Sequence, residues 1–255
     1  MNPEEYDKMF AKENTYWWYL GRRDILESLI VTYGLVALGS RVLDVGCGTG
    51  LILQTLHKYA EPIGLDFSPL SLDYCQQRGL KRLIRGNVKN LPVKSESLDC
   101  VIALDILEHV DDDERMLEEI MRTLKPGGWL VLTVPAHPSL WSDHDRALHH
   151  CRRYTRRLFR DRIRGAGFEI VKLSYAVAFL CVPIFIYRFV QKLLLRPSPN
   201  PRSHVFPLPR PINGFFEFLL RVEGKYLRRG NLPFGVTLLS ILRKPVSRPS
   251  QRVKR

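Results

Sequence analysis

Short apolar runs rich in β-branched residues recur along the first two-thirds of the chain, at Val42–Val45, Ile63–Leu65, Leu83–Arg85, Leu98–Leu104 and Trp129–Val134. Between them, at 50–59, 69–78 and 112–124, apolar positions follow helical spacing. Strand–helix alternation of this kind predicts a parallel sheet with helices on both faces. Lys125-Pro126-Gly127-Gly128 is expected to end a helix and turn the chain into the next strand. Ahead of this pattern, residues 4–33 read as one or two helices, interrupted near Gly21 and rich in aromatics (Tyr16, Trp17, Trp18, Tyr19). After Pro135 a polar, His-rich segment leads to a helix near 155–166 and a strand at Phe168–Leu173.

The pattern then changes. Ala176–Tyr187 is almost wholly apolar, but its 12 residues fall short of the roughly 20 that a membrane-spanning helix needs. Arg188, Lys192 and Arg196 follow at intervals of four, on one helical face, and six prolines break the chain between 197 and 211. A second amphipathic stretch sets Phe215, Phe216, Phe218, Leu219 and Val222 against Glu217, Arg221 and Lys225, and Pro233–Arg243 reads as a last strand. The expected organisation is a helical cover over 1–39, a core over 40–173, an amphipathic helical insertion over 174–232 (membrane-binding, or else a lid or dimer interface), the last strand over 233–243 and a basic, disordered tail over 244–255.

Val42-Leu43-Asp44-Val45-Gly46-Cys47-Gly48-Thr49-Gly50 carries the clearest chemistry. An apolar strand runs into three glycines at alternate positions and then a helix, so the backbone can turn with positive φ and approach a ligand with no Cβ in the way. Free N–H groups at the start of that helix suit an anionic ligand group. A dinucleotide fingerprint would want a small residue at position 51, where this chain has Leu51. Asp66 ends the second run, 20 residues after Gly46, where a carboxylate can accept hydrogen bonds from both ribose hydroxyls of an adenosine. Gly86-Asn87-Val88 and Ala103-Leu104-Asp105-Ile106-Leu107-Glu108-His109 close the third and fourth runs, again at strand ends where open α/β sheets bind ligands.

Leu43–Gly50, Gly64-Leu65-Asp66, Leu107-Glu108-His109-Val110 and Leu124-Lys125-Pro126-Gly127-Gly128, in this order, resemble a class I methyltransferase of the ubiquinone/menaquinone-biosynthesis type, over roughly residues 40–173. The resemblance implies a Rossmann-like, mostly parallel seven-stranded α/β sheet with the helical insertion before its last strand. It also implies S-adenosyl-L-methionine as cofactor, with Asp44, Gly46, Cys47, Gly48 and Gly50 around the methionine part. Asp66 and the following Phe67 would stand at the ribose, Asn87 and Val88 at the adenine, and Leu104, Asp105 and His109 at the fourth strand's end; for Glu108 and His109 the alternative is capping of the helix over 112–124. Relatives often carry Asp where this chain has Asn87, so altered adenine contacts are expected there. Tyr16–Arg23 resembles a segment that covers the cofactor in some relatives, with Arg22 facing the methionine carboxylate; the alternative is simple packing of these aromatics on the sheet.

Methyl transfer from a sulfonium is an in-line displacement in which the protein aligns the acceptor, excludes water and sometimes removes a proton. Four of the seven histidines fall between His137 and His150, in the region after the fifth strand. His144 or His150 is the candidate base, with Asp145 orienting one of them and Tyr154 lining the pocket. The bland alternative is a surface loop with capping polar residues. No metal is expected, because the neighbouring His144, Asp145, His149 and Cys151 rarely converge on one ion.

Charge separates the chain into two parts. Residues 1–151 carry 16 Lys and Arg against 22 Asp and Glu, and residues 152–255 carry 23 against 4, within a net charge of +13. The basic part therefore seeks an anionic partner. Its basic residues interleave with aliphatic runs rather than stacking aromatics, which favours an anionic membrane surface over nucleic acid. Five scattered cysteines without a C-x-x-C pair argue against a disulfide framework and suit a reducing cytoplasm, and acidic Met1–Phe10 gives no expectation of a secretory signal. The leading expectation is methylation of a small or lipophilic acceptor (lipid, quinone-like or glycolipid intermediate) at the inner face of the membrane. An RNA methyltransferase and a non-catalytic cofactor-binding scaffold are the alternatives.

Overall fold

A computed structural model describes residues 2–194 and 208–246. Seven strands form one sheet: β1 (Val42–Val45), β2 (Ile63–Asp66), β3 (Leu83–Arg85), β4 (Leu98–Leu104), β5 (Leu124–Pro135), β6 (Glu169–Ala176) and β7 (Thr237–Arg243). Their order is β3-β2-β1-β4-β5-β7-β6, with β7 antiparallel to both neighbours and the other pairings parallel. The order reverses between β1 and β4, so their carboxyl ends flank the crevice where this architecture takes ligands.

The helices are α1 (Pro3–Lys12), α2 (Trp17–Tyr33), α3 (Leu51–Leu56), α4 (Pro69–Gln77), α5 (Asp113–Thr123), α6 (Asp143–Ala147), α7 (Arg156–Gly165), α8 (Cys181–Leu194) and α9 (Arg210–Leu227). The central strands are apolar on both sides because both faces are covered. Along β4, Val101 and Ala103 join one core with Met116 and Ile120 of α5 and Phe159 of α7. Cys100 and Ile102 join the opposite core with Leu29 and Ile30 of α2 and Leu220 and Leu227 of α9.

Several boundaries differ from the sequence expectation. The N-terminal helices part at residues 13–16, and α2 runs straight through Gly21. Gly21 is there for proximity: a Cβ on it would lie 2.2 Å from Leu220 Cδ1 of α9. The Lys125–Gly128 turn is a bulge within β5, since Leu98 pairs with Leu124 but Cys100 pairs with Trp129. β6 continues through Ala176, so the apolar stretch starts as strand and becomes helix only at Cys181, whereas β7 starts at Thr237 instead of 233. Arg196 and tail positions 247–255 lie outside the described residues.

The insertion is anchored to the N-terminal cover. Asn213 accepts the Trp17 amide at 3.0 Å and donates to the Thr15 carbonyl at 2.9 Å. The buried Glu223 carboxylate accepts the amide of Ala178 at 2.8 Å and that of Val177, which closes the turn after β6 onto α9.

Candidate active site

The loop after β1 bends through Gly46 at φ +72° and Gly50 at φ +92°, and a Cβ on Gly46 would meet Ile106 at 2.8 Å. Within the loop itself the amides are engaged: Gly46 and Cys47 donate to the Leu65 carbonyl, and Gly50 to that of Cys47. With α3 only six residues long, the loop contributes close backbone approach more than anion-binding amides.

Two carboxylates frame this loop. Asp66 accepts from the Gly48 amide at 3.0 Å through Oδ2 and from the Ser68 amide at 2.9 Å through Oδ1. Each oxygen keeps a second acceptor site, as a diol requires. Burial raises the Asp66 carboxyl above its usual value, with the amide hydrogen bonds opposing. Asp44 is fully enclosed, and burial followed by the nearby Asp66 pushes it up to about 7. Asp44 Oδ2 is buried with no hydrogen-bond partner among the described residues. An orphaned acceptor beside an anchored diol acceptor fits an adenosyl amino acid, whose ammonium supplies a donor at one end and whose ribose lies at the other.

The remaining expected cofactor residues fall into place unevenly. Asn87 turns its carbonyl oxygen to the Lys89 amide at 2.9 Å, and Val88 packs half-buried against the core, while Phe67 is exposed beside Asp66. Arg22 pairs with Asp105 at 2.6 Å, and the Thr133 hydroxyl donates to Asp105 at 2.8 Å. The Arg22 guanidinium also lies over Trp18, 5.5 Å from the ring centre. Arg22 and Leu104 line a cavity of about 20 Å³ between α2 and the sheet, room for about one water. Arg22, expected to face the methionine carboxylate, is held here by an acid of the protein itself.

Sequence reasoning missed the part played by α1. Glu13, just after this helix, accepts from the Thr49 hydroxyl at 2.6 Å and pairs with Arg78, which follows α4. Phe10 stacks on Tyr74 at 4.5 Å, and Met9 Sδ stands 3.4 Å from the place a Gly48 Cβ would take. The helix therefore lies against the glycine loop. Charged and aromatic residues spaced along 6–13 were its only sequence signal.

On the acceptor side, residues 142–154 fold over the carboxyl ends of β4 and β5. The Cys151 amide donates to the Glu108 carbonyl at 2.7 Å, and the Tyr154 amide to that of Pro135 at 2.9 Å. This brings together His109, His144 and His150: the His150 ring lies 4.6 Å from His109 and 6.4 Å from His144, perpendicular to both. His150 Nδ1 is 3.0 Å from Asp145 Oδ1, and Arg153 donates to the same oxygen at 2.7 Å. Burial alone would raise Asp145, but the hydrogen bond from His150 and the Arg153 charge outweigh it and hold the carboxyl well below the usual range. Burial keeps His109 and His144 neutral, lowered to about 3 and about 4. Arg153 was not anticipated.

Tyr154 does not line a pocket. Its ring is fully buried against Phe159, and its hydroxyl donates to Asp113 at 2.8 Å, so it ties the segment to α5. His137 turns away, stacking on Tyr175 at 5.4 Å with Nε2 2.9 Å from the Gly235 carbonyl oxygen, and His149 is exposed.

Comparison with known proteins agrees with this fold. Residues 43–132 match the methyltransferase domain family. Over 142 residues the chain is 32% identical to a ubiquinone biosynthesis O-methyltransferase of Xanthomonas oryzae, covering 51% of this chain and 59% of that one. Over 103 residues it is 38% identical to a phthiotriol/phenolphthiotriol dimycocerosates methyltransferase of Mycobacterium ulcerans, covering 37% of each. The chain thus spans less than two-thirds of the length of these curated relatives. A SAM-dependent methyltransferase from Archaeoglobus fulgidus shares the fold, with a TM-score of 0.57 at 18% identity over 87% of this chain and 94% of that one. Motif order and sheet topology agree with these matches: residues 43–132 carry a methyltransferase domain, within a Rossmann-like fold shared with class I methyltransferases.

Proposed function

We propose that the chain is an S-adenosylmethionine-dependent methyltransferase that acts on a small or lipophilic acceptor, of the lipid, quinone-like or glycolipid type, at the cytoplasmic face of a membrane. The observation that carries this reading is the orphaned Asp44 oxygen beside the anchored Asp66 carboxylate. Asp66 would hold the ribose hydroxyls, Asp44 the ammonium, and the loop from Gly46 to Gly50 the methionine chain between them. The bound cofactor supplies an electrophilic methyl on a sulfonium. Transfer would exchange the methyl's bond to sulfur for one to the acceptor's nucleophilic atom, leaving a thioether.

His144 and His150, the latter steadied by Asp145, are the groups placed to take the proton that a hydroxyl acceptor sheds. Arg153 keeps Asp145 ionised, so the imidazole's Nδ1–H has a fixed acceptor and Nε2 is left for chemistry.

The lipophilic acceptor is favoured by the apolar surface of the insertion helices. α8 exposes Val182, Phe185, Ile186 and Val190, and α9 exposes Ile212, Phe215, Phe218 and Val222. These faces lie in the chain's basic part, and among the described residues no helix is long and apolar enough to cross a membrane. Shallow insertion of both helices with Lys and Arg at anionic headgroups is the matching mode. The test is transfer of a labelled methyl group from S-adenosylmethionine into separate lipid, RNA and protein fractions. Label in the lipid fraction supports the reading. Label confined to RNA replaces the acceptor, and no label with intact cofactor binding makes the chain a scaffold.

A further inference from the structure

We propose that Glu108, His109 and His150 form a binding site for one divalent transition-metal ion. Glu108 is 1% exposed, and neither of its carboxylate oxygens has a hydrogen-bond partner among the described residues. A carboxylate so placed is costly to bury unless a cation or donor meets it. One oxygen of Glu108 and one nitrogen from each of His109 and His150 lie within 4.8 Å of one another. Ligands about 2.1 Å from a tetrahedral ion stand about 3.4 Å apart, so a contraction of at most about 1.4 Å closes the set.

The surroundings are those of a metal centre. Asp145 holds His150 through Nδ1 at 3.0 Å, which turns Nε2 away from Asp145 and leaves it available as a ligand. Carboxylates behind a ligating imidazole fix its tautomer and orientation in this way. The hydrogen bond from the Cys151 amide to the Glu108 carbonyl, 2.7 Å, ties the turn carrying Glu108 and His109 to the segment carrying His150. Asp105 is not part of the set, because Arg22 holds it.

One oxygen and two imidazole nitrogens suit zinc, manganese, cobalt or iron, whereas magnesium and calcium prefer all-oxygen shells. Three protein ligands leave a position open, as in catalytic sites. A hydroxyl acceptor filling that position would be oriented and made more acidic. His150 then serves as a ligand and His144 alone remains to take the proton. Only this role rests on the methyltransferase reading; the site itself does not.

The experiment uses the untagged full chain, stripped with chelator and dialysed, then titrated calorimetrically with Zn2+ and, by visible absorption, with Co2+. The expected result is one equivalent bound, with Glu108→Gln and His150→Ala each weakening binding tenfold or more and Asp145→Asn weakening it about 10-fold. Absence of binding, or equal binding by Glu108→Gln and His150→Ala proteins with native circular dichroism, would overturn the site. If those variants do not fold, the wild-type chain decides: a metal-induced rise in Tm at one equivalent supports the site, and none contradicts it. S-adenosylhomocysteine is titrated into the same metal-free protein. Heat with that ligand but not with metal removes the metal site alone, and the reverse removes the cofactor reading alone.

Discussion

Gly21 lies directly beneath Leu220, so close that a Cβ on the glycine would stand 2.2 Å from Leu220 Cδ1 and 2.6 Å from its Cβ. Through this contact the insertion helix α9 seats on the cover helix α2. Because the obstacle includes the root of the leucine side chain, a rotamer change alone does not relieve it. Gly21→Val should therefore destabilise the chain by about 1–3 kcal/mol, read as a lower midpoint in urea unfolding. Gly21→Val combined with Leu220→Ala should recover part of that loss, and an unchanged midpoint in the single variant would contradict the packing.

Tyr154 divides structure from chemistry. Its hydroxyl donates to buried Asp113, which also pairs with Arg152 at 2.8 Å. Tyr154→Phe should cost about 1–2 kcal/mol of stability by leaving an acceptor short of a donor. At a temperature where the variant is folded, its turnover should stay within about twofold of the parent. A large fall in kcat with unchanged stability would return Tyr154 to the acceptor pocket.

Asp44 sets a pH dependence of stability. Its carboxyl is raised from 3.8 to about 7 by burial and then by Asp66, so the folded chain holds this proton more tightly than the unfolded chain does. The contribution is complete below about pH 4 and is lost as pH rises through about 7. Three units correspond to a few kcal/mol, on the order of 4. The wild-type chain without ligand should lose stability relative to Asp44→Asn across that window, as measured by urea unfolding at a series of pH values. Parallel curves for the two proteins would contradict the assignment.

Phe215 and Phe218 are 56% and 57% exposed on α9. If these rings enter the lipid interface, Phe215→Ser/Phe218→Ser should lower binding to vesicles containing phosphatidylglycerol by at least about tenfold, given ~1.5–3 kcal/mol for burying each ring. Flotation measures this, and raising salt should weaken the wild-type binding further. Wild-type protein wholly in the soluble fraction would refute membrane docking.

Much of the architecture was legible because its signals are local. The first four apolar runs match β1 to β4 nearly end to end, and the step from Val45 into Gly46–Gly50 needs no knowledge of tertiary contacts. Asp66 was legible for the same reason, as the acid closing an apolar run. What could not be read depends on direction and distant contact. Nothing near Gly21 distinguishes a helix break from a close helix crossing, because the reason lies 199 residues away at Leu220. Tyr154 sits beside the histidines in sequence, yet its ring points into the core toward Asp113. Glu108 shows the converse: adjacent to His109, it gave no sign that both its oxygens would be buried and unpartnered. The grouping of His144, His150 and Asp145 was legible from their crowding. The choice of His150 as the one paired with Asp145 needed the fold.

The most direct test of the account is isothermal titration of the purified chain with S-adenosylhomocysteine, beside Asp66→Ala. The predicted result is one ligand bound per chain, with affinity lowered by about 10–100-fold in the variant, as expected for losing two hydrogen bonds to a charged acceptor. No heat of association in the wild-type chain, or equal affinity in the two proteins, would contradict the claim that Asp66 and the glycine loop form an adenosyl site.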